Sequence, residues 1–172
     1  KNWNDKDATT KTNRKERVQT EDIGEFDDED YLKIKKKKKD ILVNAGGDNI
    51  SPTRVEAKLD IEPEIAQSML YGDYKNYLVA VIVPNKDFAI NWAKENSKDQ
   101  VFESIVKDED FIKTMKEIVN KVNKNLSVIE QVRKFILIDH EFTIENSMMT
   151  VSMKVRRFAV KDKYGDQLEK LY

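Results

Sequence analysis

The chain has 172 residues, a length that suits one domain of ordinary size, and its 31 Lys and Arg against 32 Asp and Glu leave a formal net charge of −1. Such a balance excludes a general attraction to nucleic acid or anionic lipid, and the lack of cysteine excludes disulfides, thiol nucleophiles and cysteine metal sites. The longest apolar runs are too short to span a bilayer and no signal peptide is recognisable, so we expect a soluble, cytoplasmic protein.

The first predicted element is a basic hairpin over residues 25–43. Residues 1–17 before it are polar and carry no apolar repeat. Two β-prone runs, around residues 31–34 and 41–43, flank the lysines at positions 35–39, which we interpret as a solvated turn.

A glycine loop and a short helix follow the hairpin. Gly46 and Gly47 tolerate positive φ and allow the backbone to approach a ligand closely, although glycine pairs are also common in plain turns. Ser51 before Pro52 is typical of a helix start, and the apolar spacing predicts a helix over residues 52–59.

The remaining periodicities predict a small α+β fold. Strands are expected at 66–71, 77–83 and 134–138, and helices at 87–95, 110–125 and 155–171. The fold class is therefore α+β, with a three-stranded sheet flanked by helices and an N-terminal β-hairpin in addition.

Residues 44–56, NAGGDNISPTRVE, carry a resemblance to a known family. They are similar to the glycine loop of the adenylate-forming enzymes of the AMP-binding superfamily, and most similar to bacterial long-chain fatty-acid CoA ligases (acyl-CoA synthetases). The match extends to Asp22 within Thr-Glu-Asp, to the lysine run ending at Asp40, and to Lys154 near the carboxyl end. The resemblance covers the whole chain.

This resemblance implies a part of a larger enzyme. Residues 1–36 would be the tail end of the large N-terminal adenylation domain with a hinge-proximal hairpin, and residues 37–172 would be the C-terminal lid domain. In the family the lid rotates between two half-reactions, so the isolated chain is expected to be inactive.

The resemblance also assigns roles to particular residues. Lys154 would contact the acyl carboxylate and the α-phosphate during adenylation, where positioned positive charge supplies much of the catalysis. Asp22 would hold the ribose hydroxyls, and Lys37 would touch the nucleotide where the family has arginine. Lys39 would be the hinge. Gly46 and Gly47 would move toward the CoA tunnel.

The implied reaction joins ATP, a fatty acid and CoA to give acyl-CoA, AMP and pyrophosphate. ATP or AMP, CoA and magnesium are the expected cofactors, with magnesium held mainly by the missing N-terminal domain and no metal site in this chain. The partners would be that domain, the fatty acid and CoA. Any peripheral membrane contact would be made through the missing domain, and no nucleic acid is expected.

Departures from the family pattern leave an alternative open. Glu21 stands where the family has glycine, and Lys37 lacks the planar fork of arginine, so both changes weaken the expected grip on ATP. Ser147 also replaces a glycine. The alternative is a degenerate, non-catalytic binding or regulatory module of the same fold. A nucleic-acid binder using residues 33–39 is disfavoured by the acidic residues 27–30 just before them.

No catalytic or binding role is favoured for three residues in the last third of the chain, Arg156, Arg157 and His140. The two arginines could meet CoA phosphates, but a solvated helix face is the favoured interpretation. His140 is the only histidine and is interpreted as a loop residue, because one imidazole among scattered carboxylates does not make a metal site.

Overall fold

A computed structural model describes residues 41–172 in full and, before them, the backbone of four short strands. These strands are β1 (Asn13–Arg14), β2 (Arg17–Val18), β3 (Asp22–Phe26) and β4 (Leu32–Lys37). The chain divides into two compact units, residues 1–41 and 42–172. The proposed domain boundary between residues 36 and 37 stays a prediction.

The first unit contains two antiparallel strand pairs, β1 with β2 and β3 with β4. The β3–β4 pair confirms an N-terminal hairpin, but its predicted bounds of 25–43 are wrong. The lysines at 35–37 belong to strand β4 itself rather than to a turn. Lysine is common on exposed strand edges, where its charge discourages pairing with other chains, so a basic run does not exclude a strand.

The second unit opens with a short hairpin around the glycine pair. Strand β5 (Leu42–Val43) pairs antiparallel with β6 (Asn49–Ile50), so residues 42–43 do not belong to the first hairpin. Helix α1 (Pro52–Leu59) then follows with the predicted bounds and with proline in its first turn. Ser51 occupies the N-cap position, although its side chain makes no capping hydrogen bond.

A three-stranded sheet forms the centre of this unit, as predicted. Its strands are β7 (Ile65–Tyr71), β8 (Leu78–Pro84) and β9 (Val132–Leu137), in the order β7-β8-β9. Strand β8 is antiparallel to β7 and parallel to β9. Every residue of β8 is buried, which is the pattern of a central strand covered on both faces.

Between β8 and β9 lie the helices α2 (Lys86–Glu95), α3 (Phe102–Ile105) and α4 (Glu109–Asn123) and a 3₁₀ turn, Val128–Glu130. Helices α2 and α4 confirm the predicted ones, and both begin at a side-chain cap, Asn85 and Asp108 respectively. Helix α3 was not predicted, because four residues are too few to show a helical period.

Helix α5 (Arg157–Glu169) closes the chain and begins two residues later than predicted. The delay has a local cause: Val155 pairs with Met149 in an isolated antiparallel bridge, so its backbone is extended. None of the described helices has both the length and the apolar character that crossing a bilayer requires.

The sheet carries one apolar core on each face. Helices α1, α2 and α4 cover the first face, and the core there includes Leu59, Leu70 and Phe111. Helix α5 and the segment after β9 cover the second, where Val81 and Leu168 are buried. Because side chains alternate along a strand, neighbouring residues such as Ala80 and Val81 enter different cores.

Asp60, directly after α1, has a raised pKa. The Ser68 hydroxyl donates to Asp60 Oδ1 at 2.7 Å, so the carboxylate turns inward although the residue has an exposed face. Burial raises the pKa of Asp60 to about 6; the Ser68 hydrogen bond opposes this rise, and the negative Glu56 nearby adds to it.

This raised pKa predicts a pH-dependent stability. A carboxyl whose pKa is higher folded than unfolded stabilises the fold at low pH, and that contribution is lost as pH rises through about 6. Asp60→Asn keeps an oxygen for Ser68 and removes the charge. We expect it to raise the free energy of unfolding by about 1 kcal/mol at pH 7.5, after allowance for solvent screening, and to have little effect at pH 4. Urea unfolding at both pH values measures this, and an equal effect at the two would contradict it.

Candidate functional site

Lys154 lies in a tight loop between the Met149–Val155 bridge partners. The Thr150 N–H donates to the Lys154 carbonyl at 2.8 Å, and the Lys154 N–H donates back to Thr150 Oγ1 at 3.1 Å. Met153, just before the lysine, has φ +59°. Lys154 is exposed and makes no ion pair with any residue of 41–172. We call residues 149–156 the lysine loop.

Buried methionines fix the base of the lysine loop. Met148 and Met149 are buried in the second core, and both of their N–H groups donate to the Thr143 carbonyl, at 3.1 and 3.0 Å. The Arg156 N–H donates to the Met148 carbonyl at 2.7 Å and closes the loop. The loop is therefore ordered at its base and open at its tip.

The tip of the lysine loop is apolar as well as cationic. Val151 and Met153 are 86% and 71% exposed, and Phe158, in the first turn of α5, is 67% exposed. The Arg156 guanidinium stacks over the Phe158 ring at 4.8 Å. Several large exposed apolar residues within a short segment are typical of a surface that another body covers.

Gly46 and Gly47 form the turn between β5 and β6, which we call the glycine loop (residues 44–48). Asn44 and Asp48 close it: the Asp48 N–H donates to Asn44 Oδ1 at 2.8 Å and the Asn44 amide donates to Asp48 Oδ2 at 3.0 Å. Gly47 has φ +86° and open space around it, whereas Gly46 lies against Asn44. The backbone conformation therefore favours glycine at position 47.

The glycine loop is docked onto the turn that joins β7 to β8. The Ala45 N–H donates to the Lys75 carbonyl at 3.0 Å, the Tyr74 N–H to the Val43 carbonyl at 2.6 Å, and the Val43 N–H to Asp73 Oδ1 at 3.0 Å. These three hydrogen bonds attach the glycine loop and the strand before it to the β7–β8 turn of the sheet.

The two loops are anchored in different cores. Leu42 and Ile50, which flank the glycine loop, belong to the core of the first face, with helices α1, α2 and α4. Met149 and Val155, which flank Lys154, belong to the core of the second face, with helix α5. The structure therefore does not bring Gly46 and Gly47 together with Lys154 in one site.

An ion pair between a buried carboxylate and a half-buried guanidinium, which the sequence did not reveal, joins the two faces. Both oxygens of Glu56, in α1, accept from the guanidinium of Arg157, at 2.6 and 2.5 Å, and Oε1 also accepts the Leu70 N–H at 2.7 Å. The Glu56 side chain is only 11% exposed. The favoured interpretation of Arg157 as part of a solvated face was wrong. The partners are 101 residues apart, and no local pattern signals such a pair.

The remaining predicted site residues lie before residue 41. Asp22 and Lys37 are paired directly across the β3–β4 hairpin, so the backbone brings the two predicted nucleotide contacts opposite each other. Lys39, the predicted hinge, and Glu21 lie outside the described residues. These assignments stay predictions.

His140 is part of a small polar network on the second face. Its Nδ1 lies 2.6 Å from Asp139 Oδ1, and its Nε2 is within hydrogen-bonding reach of Lys163 Nζ, at 2.9 Å, and of the Tyr164 hydroxyl. The hydrogen bond to His140 lowers the pKa of Asp139, and burial raises the pKa of Tyr164 to about 12. Over the described residues, no three potential ligands among His, Cys, Asp and Glu gather as a metal site.

The family assignment follows from comparison with known proteins. The family model of the AMP-binding enzyme C-terminal domain matches residues 39–172. The chain belongs to this family. The predicted resemblance is thereby confirmed for the domain that contains both the glycine loop and the lysine loop.

Relatives of this AMP-binding C-terminal domain include fatty-acid CoA ligases. The long-chain-fatty-acid CoA ligase FadD15 of Mycobacterium tuberculosis is 31% identical over 172 residues, which are 99% of this chain and 29% of that protein. The long-chain-fatty-acid CoA ligase 1 of Cavia porcellus is 28% identical over 158 residues, 90% of this chain and 23% of that protein. The chain thus spans less than a third of the length of these relatives.

A solved structure shares the fold over nearly the whole chain. The adenylation domain of a carboxylate reductase from Mycobacterium chelonae superposes with a TM-score of 0.76 at 25% identity, over 96% of this chain and 25% of that one. The α+β architecture is therefore that of the carboxyl-terminal part of an adenylation domain.

The positive φ of Gly47 predicts a cost for any side chain there. We expect Gly47→Ala to lower the free energy of unfolding by about 1 kcal/mol, because an alanine at φ +86° is strained although nothing blocks its Cβ. Gly46→Ala is the matched control, since Gly46 lacks the positive φ and an added Cβ there would meet side-chain atoms alone, Asn44 Oδ1 at 3.3 Å and Asp48 Oδ2 at 3.5 Å. Urea unfolding of both variants measures the difference, and an equal loss would contradict this account.

Ser147 supplies the converse prediction. It has φ +61°, a left-handed conformation that glycine adopts at lower cost. We expect Ser147→Gly to raise the free energy of unfolding by about 0.5–1 kcal/mol. Ser152→Gly, in the same segment but without a positive φ, should lower it instead. A loss of stability in Ser147→Gly, measured by thermal or urea unfolding, would show that the left-handed backbone is not the deciding constraint.

Proposed function

We propose that this chain is the C-terminal lid of a long-chain fatty-acid CoA ligase. The complete protein activates a fatty acid with ATP to an acyl-adenylate and pyrophosphate, then transfers the acyl group to CoA and releases AMP. The observation that carries the proposal is the placement of a glycine loop and a lysine loop on opposite faces of one sheet, within a domain of the AMP-binding family. A lid that serves two steps in turn needs two such faces.

In the adenylation step, Lys154 is the catalytic residue of this chain. Its ammonium contacts the acyl carboxylate and the α-phosphate, and it offsets negative charge that builds up as the carboxylate attacks. The exposed position of Lys154 and the lack of an ion pair within residues 41–172 support this role, because the ammonium is available to a substrate. Asp22 binds the ribose hydroxyls and Lys37 contacts the nucleotide.

In the thioester step, the glycine loop faces the CoA tunnel. The open space around Gly47 supports this role, since a ligand chain can pass close to the backbone there. Lys39 is the pivot about which the lid exchanges its two faces. The three hydrogen bonds that attach the glycine loop to the sheet support a lid that turns as one body.

The partner of the lysine loop is the protein's own N-terminal adenylation domain. Val151, Met153 and Phe158 are exposed apolar residues close to Lys154 in sequence, and burying them against that domain would exclude water from the reacting groups. Magnesium accompanies ATP and is held mainly by the N-terminal domain. The complete enzyme works in the cytoplasm.

The decisive experiment separates the two half-reactions in the complete protein. We expect Lys154→Ala to slow adenylation, measured by ATP–pyrophosphate exchange with a long-chain fatty acid, by about 100-fold or more, because an ion that stabilises transition-state charge is lost. Thioester formation from supplied acyl-adenylate and CoA should stay within about 3-fold of the wild type, since Lys154 lies away from the glycine loop.

Lys116→Ala is the matched control, as it removes another exposed lysine from the middle of helix α4 and should leave both steps unchanged. Absence of exchange in the wild type with every carboxylic acid tried would contradict the ligase proposal. It would favour the non-catalytic binding module, which the changes at Glu21 and Lys37 make the second candidate.

A further inference from the structure

The Glu56–Arg157 ion pair contacts the backbone of the edge strand β7 at Leu70. Strand β7 is an edge strand, so at Leu70 its outward N–H and C=O have no strand partner. Glu56 Oε1 accepts that N–H at 2.7 Å, and Arg157 Nη1 lies 3.4 Å from that carbonyl. The pair therefore runs from α1 on one face, around the edge of β7, to α5 on the other.

The pair connects the segments that follow the two loops. Glu56 lies in α1, which begins just after the glycine loop, and Arg157 is the first residue of α5, three positions after Lys154. The guanidinium gives both of its terminal nitrogens to one carboxylate, an arrangement that restricts rotation as well as distance. The carboxyl-terminal stem of the lysine loop is thus held against the edge of β7.

The first turn of α5 packs against the second core through Val160, which is buried, and through the partly buried Ala159. Arg156 occupies the N-cap position and its side chain makes no capping hydrogen bond, and Phe158 is 67% exposed. Within residues 41–172, the hydrogen bonds that join this turn to other elements are that of the Arg156 N–H to Met148 and those of the Arg157 ion pair. A change in its geometry would tilt the stem of the loop and displace the Lys154 ammonium.

We propose that Glu56 and Arg157 are positioning residues for Lys154, acting through the stem of the lysine loop. The inference rests on the proposed adenylation function. Positioning of this kind matters because a displacement of about 1 Å at a reacting group can cost on the order of 100-fold in rate. The pair itself does not touch the substrate.

A double-mutant cycle with Lys154 in the complete protein tests the inference. We expect Arg157→Gln to lower kcat for ATP–pyrophosphate exchange by about 10-fold or more, while thioester formation from supplied acyl-adenylate changes by less than about 3-fold. In a Lys154→Ala background, the same substitution should cause no further loss of exchange. The effects of two substitutions are non-additive when the residues act through one another. A general structural weakening would instead lower the residual activity of the Lys154→Ala variant further.

Milder variants cover the case in which Arg157→Gln fails to fold, since removing one partner of a buried pair is strongly destabilising. Arg157→Lys keeps the charge and loses the two-pronged contact, and Glu56→Gln keeps an oxygen for Leu70 and loses the charge. Each variant should lower adenylation selectively when Lys154 is present. Neither should lower it further in the Lys154→Ala background. Lys121→Gln, which breaks the 2.7 Å pair of an exposed lysine with Glu62, is the control and should affect neither step.

Two contrary results have distinct meanings. Losses that multiply in the double variants, or that fall equally on both half-reactions, would overturn the positioning role and leave the ligase proposal standing. A wild type that shows no exchange with any carboxylic acid would overturn the ligase proposal itself, and the positioning role with it.

Discussion

The constraint on which this structure depends is the complete burial of strand β8. A strand that is apolar along its whole length exposes apolar side chains on both faces of the sheet, so both faces must be covered. The chain meets this requirement by placing α1, α2 and α4 on one face and α5 with the segment after β9 on the other. The two faces are therefore covered by different elements. The glycine loop belongs to those on the first face and the lysine loop to those on the second.

The order of the strands explains how the two loops come to lie on opposite faces of one sheet. Strand β9 is added parallel to β8 after a long helical connection, which covers the first face. The chain that leaves β9 then has only the second face left to cover, and it reaches the lysine loop and α5 there. The glycine loop, formed before the sheet, is attached to the β7–β8 turn on the opposite side. Rotation of such a body would present one loop or the other, which is the behaviour that the proposed function requires.

Much of the fold could be predicted from the sequence because the signals are local. Pro52 after Ser51 marks the start of α1, and the spacing from Phe111 to Val122 marks α4. The errors have local causes as well. The lysines at 35–37 are predicted as a turn because of their charge, yet lysine is also common in edge strands. Val155 is predicted as helical, but it forms a bridge to Met149, a partner that helical periodicity does not consider.

The sequence by itself determined the family, the glycine loop and the candidate lysine, since these rest on short motifs whose residue types are read without a partner. Gly47 is such a case, because its φ of +86° suits glycine whatever surrounds the loop. Only the tertiary structure decided that Glu56 and Arg157 form a pair and that Gly47 and Lys154 belong to opposite faces. The physical reason is that ion pairing and burial depend on distances in space, and 101 residues of chain separate Glu56 from Arg157 until the sheet brings them together.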